Sequence, residues 1–88
     1  MIKGKTSSGF EFTIDEEIKD DLELLEKTVK LEQGDMSALA DVIESMLGVD
    51  GKKALYDHCR SEKGRVSAQK VFTELEEINT KIPDDTKN

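Results

Sequence analysis

The sequence predicts a mainly α fold: a short N-terminal β-hairpin or extended arm, then a compact bundle of about four helices. Three observations predict it. Phe10, Phe12 and Ile14 alternate with Glu11 and Thr13, the two-residue period of a strand with one buried face. From about residue 15 onward, apolar residues recur at threes and fours, the period of a helix. Gly34, Gly48, Gly64 and Pro83 cut that helical run into pieces. The 88 residues make a single domain, with an arm over 1–14, a bundle over 15–82 and a flexible tail over 83–88.

Each element has its own local signal. Ile2 and the Phe10 to Ile14 run form the two arms of the expected hairpin, joined through Thr6-Ser7-Ser8-Gly9. A lone hairpin is marginal in water, so its Phe10, Phe12, Ile14 face should pack on the helices. Thr13-Ile14-Asp15-Glu16 fits a capping box, and Asp15, Glu16 and Glu17 suit the first turn of a helix that runs to about Glu32. Ile18, Leu22, Leu25 and Val29 mark its apolar stripe, widened by Leu24 and Leu31. Gly34 ends it, and Asp35 can cap the next helix.

The segment Met36 to Leu47 is the most apolar of the chain, so it is expected at the centre. Met36, Leu39, Ile43 and Leu47 share one face, with Val42 and Met46 beside them. Gly48 should stop it, and Asp50 should cap a third helix from about Gly51 to Glu62. Leu55 and Cys59 face inward together there, and Gly64 is the expected C-cap. Ser67 is the N-cap of the last helix, with Val66 as a staple onto Val71. Val71, Leu75, Ile78 and Ile82 form its stripe, while Glu74, Glu76, Glu77 and Lys81 are expected in water. Pro83 ends it.

Composition narrows the function classes. Apolar residues are 35% of the chain and charged residues 38%, so the core is thin. A thin core on a charged chain often gains stability from a partner, and a homo-oligomer is one such partner. The net charge of −7 disfavours generic nucleic-acid binding, because phosphate backbones repel it. The charge is also uneven. Glu11 to Asp35 holds ten acids against three bases, and Asp50 to Lys70 holds six bases against three acids. That asymmetry is the mark of solvated faces, of head-to-tail self-association, or of a docking surface that uses both signs. Cys59 is the lone cysteine, so no internal disulfide can form and a reducing, cytoplasmic setting fits. Lys3 and Lys5 precede no apolar run, so the N-terminus does not read as a signal peptide. No segment approaches the roughly 18 apolar residues that a membrane span needs.

Catalytic and metal chemistry find little footing. His58 and Cys59 are neighbours and would point about 100 degrees apart on a helix, so they cannot easily share a metal ion or act as a nucleophile pair. A surface histidine beside a buried thiol is the expected arrangement. Val49-Asp50-Gly51 is followed by Lys52 and Lys53, which rules out a calcium loop. Asp20-Asp21 and Glu76-Glu77 are expected as surface charge, and no phosphate loop is present. No metal or cofactor is expected, and the protein reads as non-enzymatic. The central and third helices, joined at Gly48, could imitate a helix-turn-helix with Lys52, Lys53 and Arg60 on the second helix, so a small helical DNA-binding regulator of phage or bacterial origin is the alternative reading.

One stretch carries a family resemblance. Leu47-Gly48, Lys52-Lys53-Ala54-Leu55-Tyr56-Asp57-His58, Arg60 and Gly64-Arg65-Val66 follow a Gly9-Phe10 strand and an acidic, Leu-rich helix. This order, over roughly residues 9 to 80, resembles the small tail assembly chaperones of long-tailed phages and related prophages. The resemblance implies a helical protein of the host cytoplasm that is absent from the mature virion. It implies that the protein binds the long tape measure protein, keeps it soluble and helps recruit tail tube subunits. In many such phages a frameshift appends a second domain, and the polar end Asp84 to Asn88 would suit one. Within the resembling stretch, Tyr56, Arg60 and Arg65 are the candidate partner-binding residues, since tyrosine and arginine are enriched at binding hot spots. For Tyr56, packing against the last helix is an equal alternative.

Overall fold

The computed structural model describes residues 1–82. The expected end at Pro83 and the tail over 83–88 lie outside the described residues. The chain begins with an antiparallel hairpin, β1 (Ile2–Lys5) and β2 (Glu11–Ile14), paired with Ile2 opposite Ile14 and Gly4 opposite Phe12. Thr6 N–H donates to the Phe10 carbonyl (2.9 Å) and Gly9 N–H to the Thr6 carbonyl (3.0 Å), which closes the turn. Phe10, Phe12 and Ile14 are buried and the intervening Glu11 and Thr13 exposed, as the alternation predicts. The Phe12 ring lies over Gly4. A Cβ at Gly4 would sit 2.5 Å from the ring's Cζ, so only glycine fits this close approach.

Three α-helices follow, not four: α1 (Leu22–Glu32), α2 (Leu39–His58) and α3 (Ala68–Thr80). Residues expected to open the first helix instead form a 3-10 turn, Glu16–Asp20, started by the Asp15 carboxylate, which accepts from Glu17 N–H. Thr13 is held in β2 and cannot cap. Asp21 breaks the chain with extended backbone and accepts from Leu24 N–H (3.1 Å), so α1 starts only at Leu22. Its end is as predicted. Gly34 and Asp35 donate their N–H groups back to Leu31 and Lys30, the two bonds of a Schellman motif.

The central helix also starts late. Asp35 accepts from Ser37 N–H and winds a 3-10 turn over Met36–Ala38, which leaves Met36 exposed. Gly48 interrupts α2, as predicted, but leaves no loop behind it. Its backbone (φ 79°, ψ 172°) is non-helical, yet helix resumes on both sides, so the two expected helices are two arms of one kinked helix. Asp50 lies in the first turn of the second arm and not before it. That φ/ψ region is nearly closed to residues with a Cβ. The second arm ends at His58, four residues early. Arg60 pairs with Val66 in a single antiparallel bridge, and Gly64 belongs to the turn between them. Ser67 caps α3 through Lys70 N–H, as predicted.

A single core joins the hairpin to all three helices. Ile14, Ile43, Leu55, Cys59 and Ile78 are its fully buried members, with Leu24 entering from α1. Two expectations about facing fail. Glu74 is buried, and the outer leucines of α1 are not.

Candidate functional site

The helix α1 has two apolar faces. At about 100 degrees per residue, Leu24 and Leu31 fall on one line, and Leu22, Leu25 and Val29 on another more than a quarter turn away. The first line packs inward on α2. The second stays in water: Leu22 is 67% exposed, Leu25 57% and Val29 41%. The sequence placed Leu22, Leu25 and Val29 in the core because two apolar faces on one helix look like one wide stripe. The structure reverses the assignment.

The exposed stripe borders a hollow of about 350 Å³. Ile18, Leu22, Leu25, Met46 and Ile82 give it apolar lining, with Lys19, Asp20 and Asp21 lining it as well. A second, shallower hollow continues past Val29, edged by Glu26 and Lys30. Leu22 and Leu25 line both. The result is an apolar track along α1 with acidic residues beside it.

The expected partner-binding residues lie elsewhere. Tyr56 is half-buried against the core, and the Lys52 ammonium sits 5.9 Å from its ring centroid. Its packing role is thus filled. Arg60 and Arg65 are exposed and belong to the small turn after α2. The Arg60 guanidinium is engaged: it donates to the Asp57 carboxylate (3.2 and 3.3 Å) and to the Gly64 carbonyl (2.7 Å). Because α2 ends at His58, Arg60 is not on a helix.

A polar cluster ties the hairpin turn to the helices, and no local sequence signal marks it. Thr6 and Ser8 each have one hydroxyl proton. Thr6 donates to Glu74 Oε1 (2.7 Å) and Ser8 to Glu74 Oε2 (2.9 Å). His58 Nε2 lies 2.9 Å from Ser8 Oγ. With the serine proton on Glu74, the Nε2–H tautomer of the imidazole is the one that completes this contact, and Thr6 Oγ1 also lies 3.1 Å from Ser8 Oγ. Phe10 N–H donates to Thr6 Oγ1, and Ser7 donates through both N–H and Oγ to the Glu77 carboxylate. These bonds explain why Glu74 can be only 5% exposed: both carboxylate oxygens are satisfied.

A serine, a histidine and a carboxylate in contact invite comparison with a nucleophilic triad, and the order is wrong. In a triad the imidazole takes the serine proton and the carboxylate holds the imidazole. Here the carboxylate takes the serine proton directly. The cluster is a staple between chain segments. Cys59 is buried next to it, and burial, followed by the Glu74 charge, pushes its thiol above the ordinary range, which keeps it a poor nucleophile.

Among the described residues no cluster of three or more histidine, cysteine or acidic side chains is placed to hold a metal ion. No helix there is long and apolar enough to cross a membrane. Comparison with family models, curated proteins and solved structures gives no match.

Proposed function

We propose that this protein is a non-enzymatic tail assembly chaperone. It binds the tape measure protein in the host cytoplasm, keeps it soluble and helps recruit tail tube subunits. The segment order and the Leu-Tyr-Asp-His and Gly-Arg-Val runs supply the identity of the client. The observation that carries the task is the exposed Leu22, Leu25, Val29 track. A small charged domain with a thin core leaves three large apolar side chains in water on one helix, beside a hollow. Side chains so placed favour a protein partner, and an amphipathic client helix meets that need. The remaining acidic surface keeps a chaperone–client complex soluble.

The regulator reading draws less support. A helix-turn-helix needs a turn of a few residues between two helices, and α2 has a single non-helical residue, Gly48. Of the three cations that reading needs, Lys52 is paired with Glu44 and Arg60 with Asp57, while Lys53 is exposed.

Co-expression with the tape measure protein of the same gene cluster tests the proposal. The client should become soluble and co-purify only when this chain is present. A client that is equally soluble alone, or that never associates, would end the chaperone reading and move attention to DNA retention assays.

A further inference from the structure

We infer that the α1 track takes a helix edged with lysine or arginine, and that charge as well as apolar contact selects it. The inference rests on the chaperone reading only for the name of the client; the chemistry of the partner comes from the surface itself.

Leu22, Leu25 and Val29 stand at i, i+3 and i+7, the spacing at which one helix offers anchors to another. The eleven residues of α1 run about 16 Å, which accommodates two to three turns of a partner helix. The borders of the track carry more acids than bases. On the helical wheel Asp21 and Glu32 flank one edge and Glu26 the other, with Glu23 beyond it. All four are exposed. Asp20 adds to the rim of the hollow at the N-terminal end. Lys30 stands on the Glu26 edge and Lys19 lines the hollow beside Asp20, so the Asp21 and Glu32 edge is acidic, the Glu26 edge is mixed, and acids outnumber bases around the track.

Two other occupants fit this chemistry poorly. The segment Pro83-Asp84-Asp85-Thr86-Lys87-Asn88 has no large apolar side chain to fill the hollow and carries acids of its own. A second copy brings another net charge of −7, and a two-fold pairing of α1 helices sets acidic borders near acidic borders; a head-to-tail contact with the basic Asp50 to Lys70 segment of a second copy is the competing occupant that the test must separate. A partner with cations outside its apolar stripe places those cations over Asp21, Glu26 and Glu32 while its anchors enter between Leu22, Leu25 and Met46. Charge complementarity of this kind fixes register and suppresses wrong partners.

The test uses the full chain and two synthetic helical peptides with the same leucine stripe, one with lysine flanks and one with glutamate flanks. Binding is followed by amide chemical shifts in the protein. The lysine peptide should move α1 resonances, bind at least about tenfold more tightly than the glutamate peptide, and weaken as salt rises from about 0.05 to about 0.5 M. Glu26→Lys should remove most of that preference, and Leu25→Asp should remove binding. Equal binding of both peptides, shifts confined to the Arg60 to Arg65 turn, or concentration-dependent α1 shifts without peptide would each overturn the inference, the last by naming a second copy as the occupant. The client experiment fails separately. If the tape measure protein does not associate but the lysine peptide binds as described, the surface stands and the client name falls. If the tape measure protein co-purifies equally with Leu25→Asp, the client stands and this surface falls.

Discussion

The helices α1 and α3 are equally amphipathic in sequence and meet opposite fates. The stripe of α3, Val71, Leu75 and Ile78, is buried along its length, and Ile78 is 0% exposed. The outer stripe of α1 is built from residues just as apolar and remains in water. The difference lies in what the rest of the chain can cover. The helix α3 has the hairpin turn on it, pinned through Glu74 and Glu77, and shares the core with α2. The helix α1 is held along its inner line by α2, and its outer line has no element of the described chain on it. Periodicity therefore reports that a face is apolar. Whether the fold or a partner buries that face is decided by how many elements are left to pack.

The contrast can be broken at several points. The largest effect belongs to the α3 stripe. Ile78→Ala should cost about 2–5 kcal/mol of unfolding free energy, since it opens a cavity under a fully buried side chain. Denaturant unfolding measures this, and a loss below about 1 kcal/mol would mean α3 is less enclosed than described. Next comes the staple. Glu74→Ala leaves the Thr6 and Ser8 hydroxyls without their acceptor and should cost about 1–3 kcal/mol. Amide exchange should speed up first in the hairpin turn, and a uniform loss across the molecule would show that the staple is not local. Gly48→Ala should follow at about 1–3 kcal/mol, or straighten α2. A Cβ at Gly48 meets no atom within 4 Å, so the cost is backbone conformation and not a clash.

The smallest effect concerns the turn between α1 and α2. Hydrogen bonds from the Ser37 side chain and backbone hold the Asp35 carboxyl below its usual value of 3.8. A carboxyl lowered on folding binds its proton less tightly in the native state. Its contribution is therefore present above the ordinary carboxylate value and fades as pH falls through the lowered one. An NMR titration should find Asp35 below 3.8 in the wild type and closer to it in Ser37→Ala, and no difference between the two would contradict the cap.

Much of the fold was legible because its signals are local. The Phe10 to Ile14 alternation, the Gly34 terminus and the Ser67 cap each depend on residues within a few positions, and each is found. Details of helix number and start were not, because competing local bonds are of similar strength. Asp15 and Asp35 wind 3-10 turns where capped α-helices were expected, and Gly48 bends a helix that resumes at once. The candidate surface was the least legible. Tyr56 carries the residue type of a hot spot and is occupied by the core, while plain leucines carry the exposed track. Glu74 read as a surface acid because its partners, Thr6 and Ser8, are 68 and 66 positions away in the chain.

The central claim is that the outer face of α1 belongs to a partner and not to the core. Leu25→Asp tests it most directly when unfolding and client co-purification are measured on the same preparation. A charge on a truly external face should shift unfolding by no more than about 0.5 kcal/mol and abolish co-purification of the tape measure protein. A loss of several kcal/mol would place Leu25 in the core, and unchanged stability with undiminished co-purification would show that the track is not where the client binds.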